Sequence, residues 1–321
     1  MKLLLKYIVI IILLPLPSIV SAQAINDNLS YRNLNSDHYF RINYENDFFT
    51  ATDKYYTQGI YIELVNPALR KFPFSKTLVH PHANNTIYGL AIEHNAYTPS
   101  DLGSDKPLYG DRPFAASLFL KTFLVAMDTN RKDRFSTSLS TGVIGPSAFG
   151  HEMQAGIHKA LGDVTPHGWQ NQIKNDAVIN YQVDYEKSLL SYKNYFNVNG
   201  YGTVRAGTLN DKAGIGFTIM AGKFNSPFLI TPVGKKLKIY IYDHPEIDIV
   251  GYDATMEGGI FTQNENVYII EPSNVSRITF QNRYGAVLTY KRLYVEYYYT
   301  FITKEFNAGK SHRTGGITIG F

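Results

Sequence analysis

Cysteine is absent from this 321-residue chain, tryptophan occurs once, and no segment after the first two dozen residues is apolar enough to cross a bilayer as a helix. Without cysteine, disulfides and thiolate-bound metals are excluded, which leaves packing and polar networks to hold the fold. Charge of one sign is also missing, since 31 Lys and Arg face 27 Asp and Glu for a net +4. A balance that close offers no broad basic field for nucleic acid. The aromatic content carries more information. With 25 Tyr, 19 Phe and 25 Gly, the chain is rich in residues that suit strands, tight turns and the interfacial rings of membrane proteins.

The start of the chain reads as an export signal. Lys2 and Lys6 are followed by the apolar stretch Tyr7 to Leu14 and by small residues at Ser21, Ala22 and Ala24, where cleavage is expected. A membrane anchor would need about 18 uninterrupted apolar residues, and Lys6, Pro15 and Pro17 interrupt this one. Residues 1–24 are therefore assigned as a leader and 25–321 as a single domain. Removing Lys2 and Lys6 takes the formal charge from +4 to +2.

Alternation of apolar and polar residues at a period of two dominates what remains, as expected of strands with one lipid face and one polar face. Leu293, Val295, Tyr297, Tyr299 and Phe301 fall on one face, Glu296 and Thr300 on the other. The last residues repeat the pattern, with Ile317, Ile319 and Phe321 alternating with Thr318 and Gly320. Turn clusters divide the chain into about twelve strands of the length a membrane crossing needs. They are placed at 38–49, 55–66, 86–97, 113–127, 133–145, 177–190, 194–208, 213–224, 235–249, 275–290, 293–304 and 312–321. The fold class is thus all-β, a twelve-stranded antiparallel transmembrane barrel.

An even strand number with both termini periplasmic sends odd strands outward, so the exterior loops are 50–54, 98–112, 146–176, 209–212, 250–274 and 305–311. Most periplasmic connections are short, with 66–85 the exception. In the 146–176 loop alternation stops. Glu152, Gln154, Ala155, His158, Lys159, Ala160 and Leu161 suit a short helix that Gly162 can close, and a second helical stretch is expected over Trp169 to Lys174.

Three polar clusters fall on the exterior rim: Glu45-Asn46-Asp47 with Thr52, Asp53 and Thr57; Asp105-Lys106 with Gly110-Asp111-Arg112; and His151 through Trp169. Rims are polar in any barrel, yet a topology that gathers distant segments in one place is what a site requires. His151-Glu152 lacks the second histidine of a zinc-protease helix, because His158 comes seven residues later. No Gly-x-Ser-x-Gly elbow occurs, and Ser147 follows Pro146 without an indicated base partner.

The ordered set Glu45-Asn46-Asp47, Tyr56-Thr57-Gln58-Gly59, Gly110-Asp111-Arg112 and Gly142-Val143-Ile144-Gly145-Pro146, continued by Glu152, Gln154, His158, Gly162, Trp169, Gln170, Gln172 and Ile173, resembles the calcium-dependent lipid A 3'-O-deacylases of the Gram-negative outer membrane. The resemblance covers most of the mature chain. It implies a twelve-stranded barrel whose site lies between the outer wall and a helix from an exterior loop. Its substrate would be the lipid A of lipopolysaccharide, its cofactor Ca2+, and its working form a monomer in the outer membrane.

Two readings made from the residues alone meet that implication. The break in alternation supplies the helix, and Asn46 shares strand parity with Phe40, Ile42 and Tyr44, the face expected to meet lipid.

Ester hydrolysis needs a base for water and a positive group at the developing oxyanion. His158 takes the position of the family's catalytic histidine, and an imidazole titrates close enough to neutrality to accept a proton. Asn46, Asp47 and Thr57 match the family's site positions and supply the hard oxygen donors that Ca2+ prefers, whether on the metal or positioning water or substrate. Two departures stand out. The acidic residue expected after the histidine falls on Val164, with Asp163 one residue earlier. The family's basic pair is reduced to Lys106, with Arg112 nearby, as the candidates for substrate phosphate. The competing functions are a serine-dependent barrel phospholipase and a passive channel or adhesin.

Overall fold

The computed structural model describes residues 28–34, 36–50, 55–162, 166–230 and 235–321. The leader call at 1–24, Thr52, Asp53 and the candidate Asp163 lie outside them.

Twelve strands close into one antiparallel barrel in which each strand pairs with its neighbours in sequence and β1 pairs with β12. They are β1 (Tyr39–Asn46), β2 (Tyr55–Val65), β3 (Asn85–Thr98), β4 (Ala115–Asp128), β5 (Asp133–Ile144), β6 (Asp176–Tyr192), β7 (Phe196–Gly207), β8 (Asn210–Gly222), β9 (Lys238–Asp253), β10 (Ile278–Tyr290), β11 (Leu293–Ile302) and β12 (His312–Gly320). All twelve correspond to strands read from the sequence, and the barrel fold is as expected. Helix α1 covers Gly150–Leu161. The second helical stretch is shorter than expected, one 3-10 turn at Trp169–Asn171. The long 66–84 connection folds into two 3-10 turns that start at Pro67 and Pro73, and its Leu78 packs on Leu124 and Ala126 of the outer wall.

Burial follows the strand period. In β1 Tyr39, Arg41, Asn43 and Glu45 point inward, while Phe40 and Ile42 are exposed on the outer wall. In β11 Leu293 and Tyr297 face out and Glu296 and Thr300 are fully buried, as alternation required. Bulk lipid would leave such outward apolar groups covered, whereas each inward charge needs a partner.

The partners are there. Arg41 binds Glu63 at 2.8 Å, Lys121 binds Glu93 at 2.9 Å, and Arg283 pairs with Glu45, which also accepts from Tyr56 and Tyr298.

A segment ahead of β1 completes this interior. Ser30, Tyr31 and Arg32 form a 3-10 turn lodged in the lumen, none more than 2 % exposed. Ser30 donates to Glu186 of β6, Arg32 binds Glu296 of β11 at 2.8 Å and Thr318 of β12 at 2.6 Å, and the Tyr31 ring stacks on Tyr242 of β9 at 4.0 Å. Asn199 of β7 donates to Ser30, and Tyr240 to the Tyr31 carbonyl. Sequence alternation gave no sign of this plug, because a short irregular segment has no period to read.

One rim carries the long connections 99–114, 145–175, 254–277 and 303–311, and the other carries turns as short as 193–195 and 291–292. Long loops mark the exterior rim of outer-membrane barrels and short turns the periplasmic one.

Candidate active site

The outer wall near the long-loop rim loses its exposure over three strands. Along β3 the outward side chains pass from Ile92, 51 % exposed, to His94 at 4 % and Ala96 at 0 %. What covers them is the 145–175 loop. Ala148 and Trp169 pack with Ala96 and Ala116, and Leu118 and Val143 flank them. Helix α1 enters this contact at Gly150, where a Cβ would stand 2.5 Å from the Ala116 Cβ and 2.6 Å from the Trp169 ring. Only glycine lets the helix seat so closely. At its far end Gly162, with φ 71°, turns back and donates to the His158 carbonyl.

Beside this contact β2 is irregular. Tyr56 pairs with Tyr97 and Gln58 with Ala96, so Thr57 is the extra residue of a β-bulge. A bulge re-aims a side chain that regular pleating would commit to one face. Tyr56 reaches Glu45 in the lumen, whereas the Thr57 hydroxyl, 3 % exposed, accepts from Gln154 Nε2 of α1 at 3.2 Å. Gln154 Oε1 accepts in turn from Trp169 Nε1 at 2.7 Å. This chain of two hydrogen bonds ties strand, helix and loop together.

His158 lies four residues beyond Gln154, one turn along the same helix face, and is buried at 8 % exposure. Asn46, the last residue of β1, is paired in register with Gln58, so it stands on the strand next to Thr57 and at the same height. Its Oδ1 accepts from the Phe48 backbone at 2.7 Å and its Nδ2 donates to Tyr44, which fixes the amide orientation. Asp47 follows at 2 % exposure. Strand pairing thus sets Asn46, with Asp47 after it, beside Thr57, and the Gln154 bond ties Thr57 to the helix whose same face carries His158; this is the candidate patch.

The other candidates are distributed differently. Lys106 is exposed on the 99–114 loop, whose Asp105 carbonyl accepts from the side chains of Gln170 and Asn171, so it borders the patch through the α1 loop. Arg112 points elsewhere. It is 1 % exposed, lies over the Tyr97 ring at 4.3 Å, donates to Thr255 at 2.7 Å and pairs with Glu305. Its guanidinium closes the lumen mouth, which speaks against phosphate recognition by that residue.

Two residues at this contact were given no role by the sequence reading, Gln154, which it named only as part of the helix and of the family set, and His94. Gln154 was legible as a polar residue on the His158 face of α1. His94 was legible as a histidine among the outward positions of β3, beside Leu90 and Ile92. Its ring lies near the Ala148 backbone, and neither nitrogen makes a hydrogen bond of normal length.

With this geometry in place, the model of the family described as outer membrane protein LpxR matches residues 7–321. The chain belongs to the LpxR family. LpxR from Salmonella typhimurium shares the fold with a TM-score of 0.70 at 21 % identity, over 88 % of this chain and 99 % of that one. The β domain of the Bordetella autotransporter BrkA matches with a TM-score of 0.44 at 8 % identity, over 88 % and 97 % of the two chains. No curated sequence matches. Membership in the LpxR family places the chain in the outer membrane and bears out the resemblance to lipid A deacylases.

The donors at the patch suit Ca2+ by type. One carboxylate, one amide oxygen and one hydroxyl are all hard oxygens, and among the described residues no group of three or more His, Asp or Glu stands together to hold a metal ion of any kind. So small an anionic charge fits a weakly held ion that keeps several waters.

Proposed function

We propose that the chain is an outer-membrane lipid A deacylase that hydrolyses the 3'-O-linked acyl ester, with His158 as the base that activates water. The observation that carries this is a buried histidine on a helix clamped, through Gln154 and Thr57, to the lipid-facing wall. A site on that wall would be open to a substrate that arrives sideways in the membrane, and its place at the long-loop rim supports a position at the exterior leaflet, where lipid A resides.

In this reading His158 takes a proton from water as the oxygen attacks the ester carbonyl, then returns it to the departing sugar alkoxide. Asp47, Asn46 and Thr57 would hold Ca2+, which when bound supplies positive charge for the oxyanion. Gln154 keeps the Thr57 hydroxyl oriented, because its own amide is held by Trp169. Exposed Lys106 would pair with a substrate phosphate.

Mass spectrometry of lipid A from cells with and without the protein tests the reading. Loss of the 3' acyl group with the wild type and not with His158→Ala is expected. Unchanged lipid A under calcium-replete conditions would remove it. The phospholipase reading has its own check, since stoichiometric labelling by a fluorophosphonate would replace the histidine-activated water with a serine nucleophile. For the channel reading, a lumen filled by Arg32, Arg41 and Arg283, each at 2 % exposure or less, leaves little room.

A further inference from the structure

The two rims differ sharply in charge. The five connections of the short-turn rim, 66–84, 129–132, 193–195, 223–237 and 291–292, contain eleven lysines and arginines and no aspartate or glutamate, and the acidic residues at the adjoining strand ends are Asp37, beside His38, and Asp128 and Asp133, which pair with Arg131 and leave Lys132 outside that pairing. The long-loop connections between strands hold eleven acidic against eight basic residues. A net +4 for the whole chain conceals this segregation.

Backbone conformation gives an independent sign that the charge is retained for its own sake. Lys132, Lys193 and Lys291 each occupy a tight turn with positive φ, 52°, 49° and 54°. Glycine or asparagine is the usual choice there, and a lysine strains the turn. Three of the five connections accept that strain, and in each the lysine is exposed. Two of these lysines lie over an aromatic neighbour, Lys193 over Tyr192 at 5.6 Å and Lys291 over Tyr290 at 5.3 Å. Those tyrosines are themselves exposed, at 62 % and 43 %, as rings at headgroup depth are. Between β8, β10 and the plug, an opening at this rim is lined by Lys236, Lys238, Lys291 and Arg292, with no Asp or Glu among its described residues.

We propose that this rim is a docking surface for the anionic phospholipid headgroups of the periplasmic leaflet. The tyrosine rings sit at the edge of the hydrocarbon, and the lysines beside them meet the phosphates, fixing the height at which the barrel rides in the membrane. The proposal shares the membrane orientation used above and is independent of the deacylase chemistry. Lipid A deacylation by the same preparation is a separate readout.

The full chain, purified and placed in nanodiscs of mixed phosphatidylglycerol and phosphatidylethanolamine, is examined by native mass spectrometry for the lipids it retains. The wild type should retain phosphatidylglycerol preferentially, and the preference should fall with added salt. In K132G/K193G/K291G that preference should drop at least about tenfold, while thermal unfolding in neutral detergent stays level or moves up as the strained turns relax. Equal retention of the two lipids by the wild type, salt-independent retention, or an unchanged ratio in the triple variant would each overturn the proposal. So would preferential capture of anionic cell-wall glycan fragments over phosphatidylglycerol. Should the variant not fold, the wild-type ratio and its salt dependence still decide.

Discussion

At the scale of single residues, the proposed roles of His158 and Asp47 predict different responses to calcium. His158→Ala should lower turnover by about 10²–10⁴-fold at every calcium concentration, because added metal does not replace a base. Asp47→Ala should instead raise the calcium needed for half-maximal rate or abolish turnover, and chelation should silence the wild type with the barrel still folded. A Ca2+ titration of deacylation on both variants makes the distinction. Gln154→Ala is a positioning change. It frees Trp169 Nε1 and the Thr57 hydroxyl and should reduce kcat by about tenfold with little change in KM. Much of this patch was legible in the sequence, since Asn46, Asp47, Thr57 and His158 were all named from it. What could not be read was the direction of Arg112. Its motif lies in a rim loop, and only the placement of Glu305, 193 residues away, turns it into the lumen.

At the scale of elements, the seat of α1 is the sensitive feature. Gly150→Val would drive side-chain atoms into Ala116 and Trp169, at an overpacking cost of about 1–3 kcal/mol borne by the loop and not by the strands. The expected result is loss of deacylation and faster proteolysis within 145–175, with the heat-modifiable gel shift of the folded barrel retained. Loss of the folded barrel itself would show that the helix is needed for closure. The strands were readable because one face meets lipid and the other meets charge, which imposes a period that nothing in a loop imposes. The bulge at Thr57 breaks that period, and a single extra residue in β2 looks from sequence like ordinary noise at a strand end.

At the scale of the whole molecule, the exterior mouth should respond to pH. Burial pushes the Glu305 carboxyl up from 4.5 to about 7, a rise that the charge of Asp253 supports and that Arg112 opposes. Because the folded-state value lies above the unfolded one, this group contributes stability that is present below pH about 4.5 and lost as pH rises toward 7. Unfolding temperatures measured from pH 5 to 8 should therefore decline, and Glu305→Gln should flatten that slope. A slope unchanged in the variant would place its origin elsewhere in the lumen.

The turn at Ser30–Arg32 binds strands that lie far apart around the ring: β6 through Glu186, β7 through Asn199, β9 through Tyr242, β11 through Glu296 and β12 through Thr318. All of these partners lie within the run β6–β12, with β6 and β12 at its two ends, so a single short turn meets them together only when that run is curled around it. Its full set of contacts therefore depends on the curvature of β6–β12, and losing Arg32 would leave Glu296 a buried charge without its ion-pair partner, which is costly. The segment thus acts as an internal strut, tying opposite walls of the lumen to one another through a turn that belongs to neither.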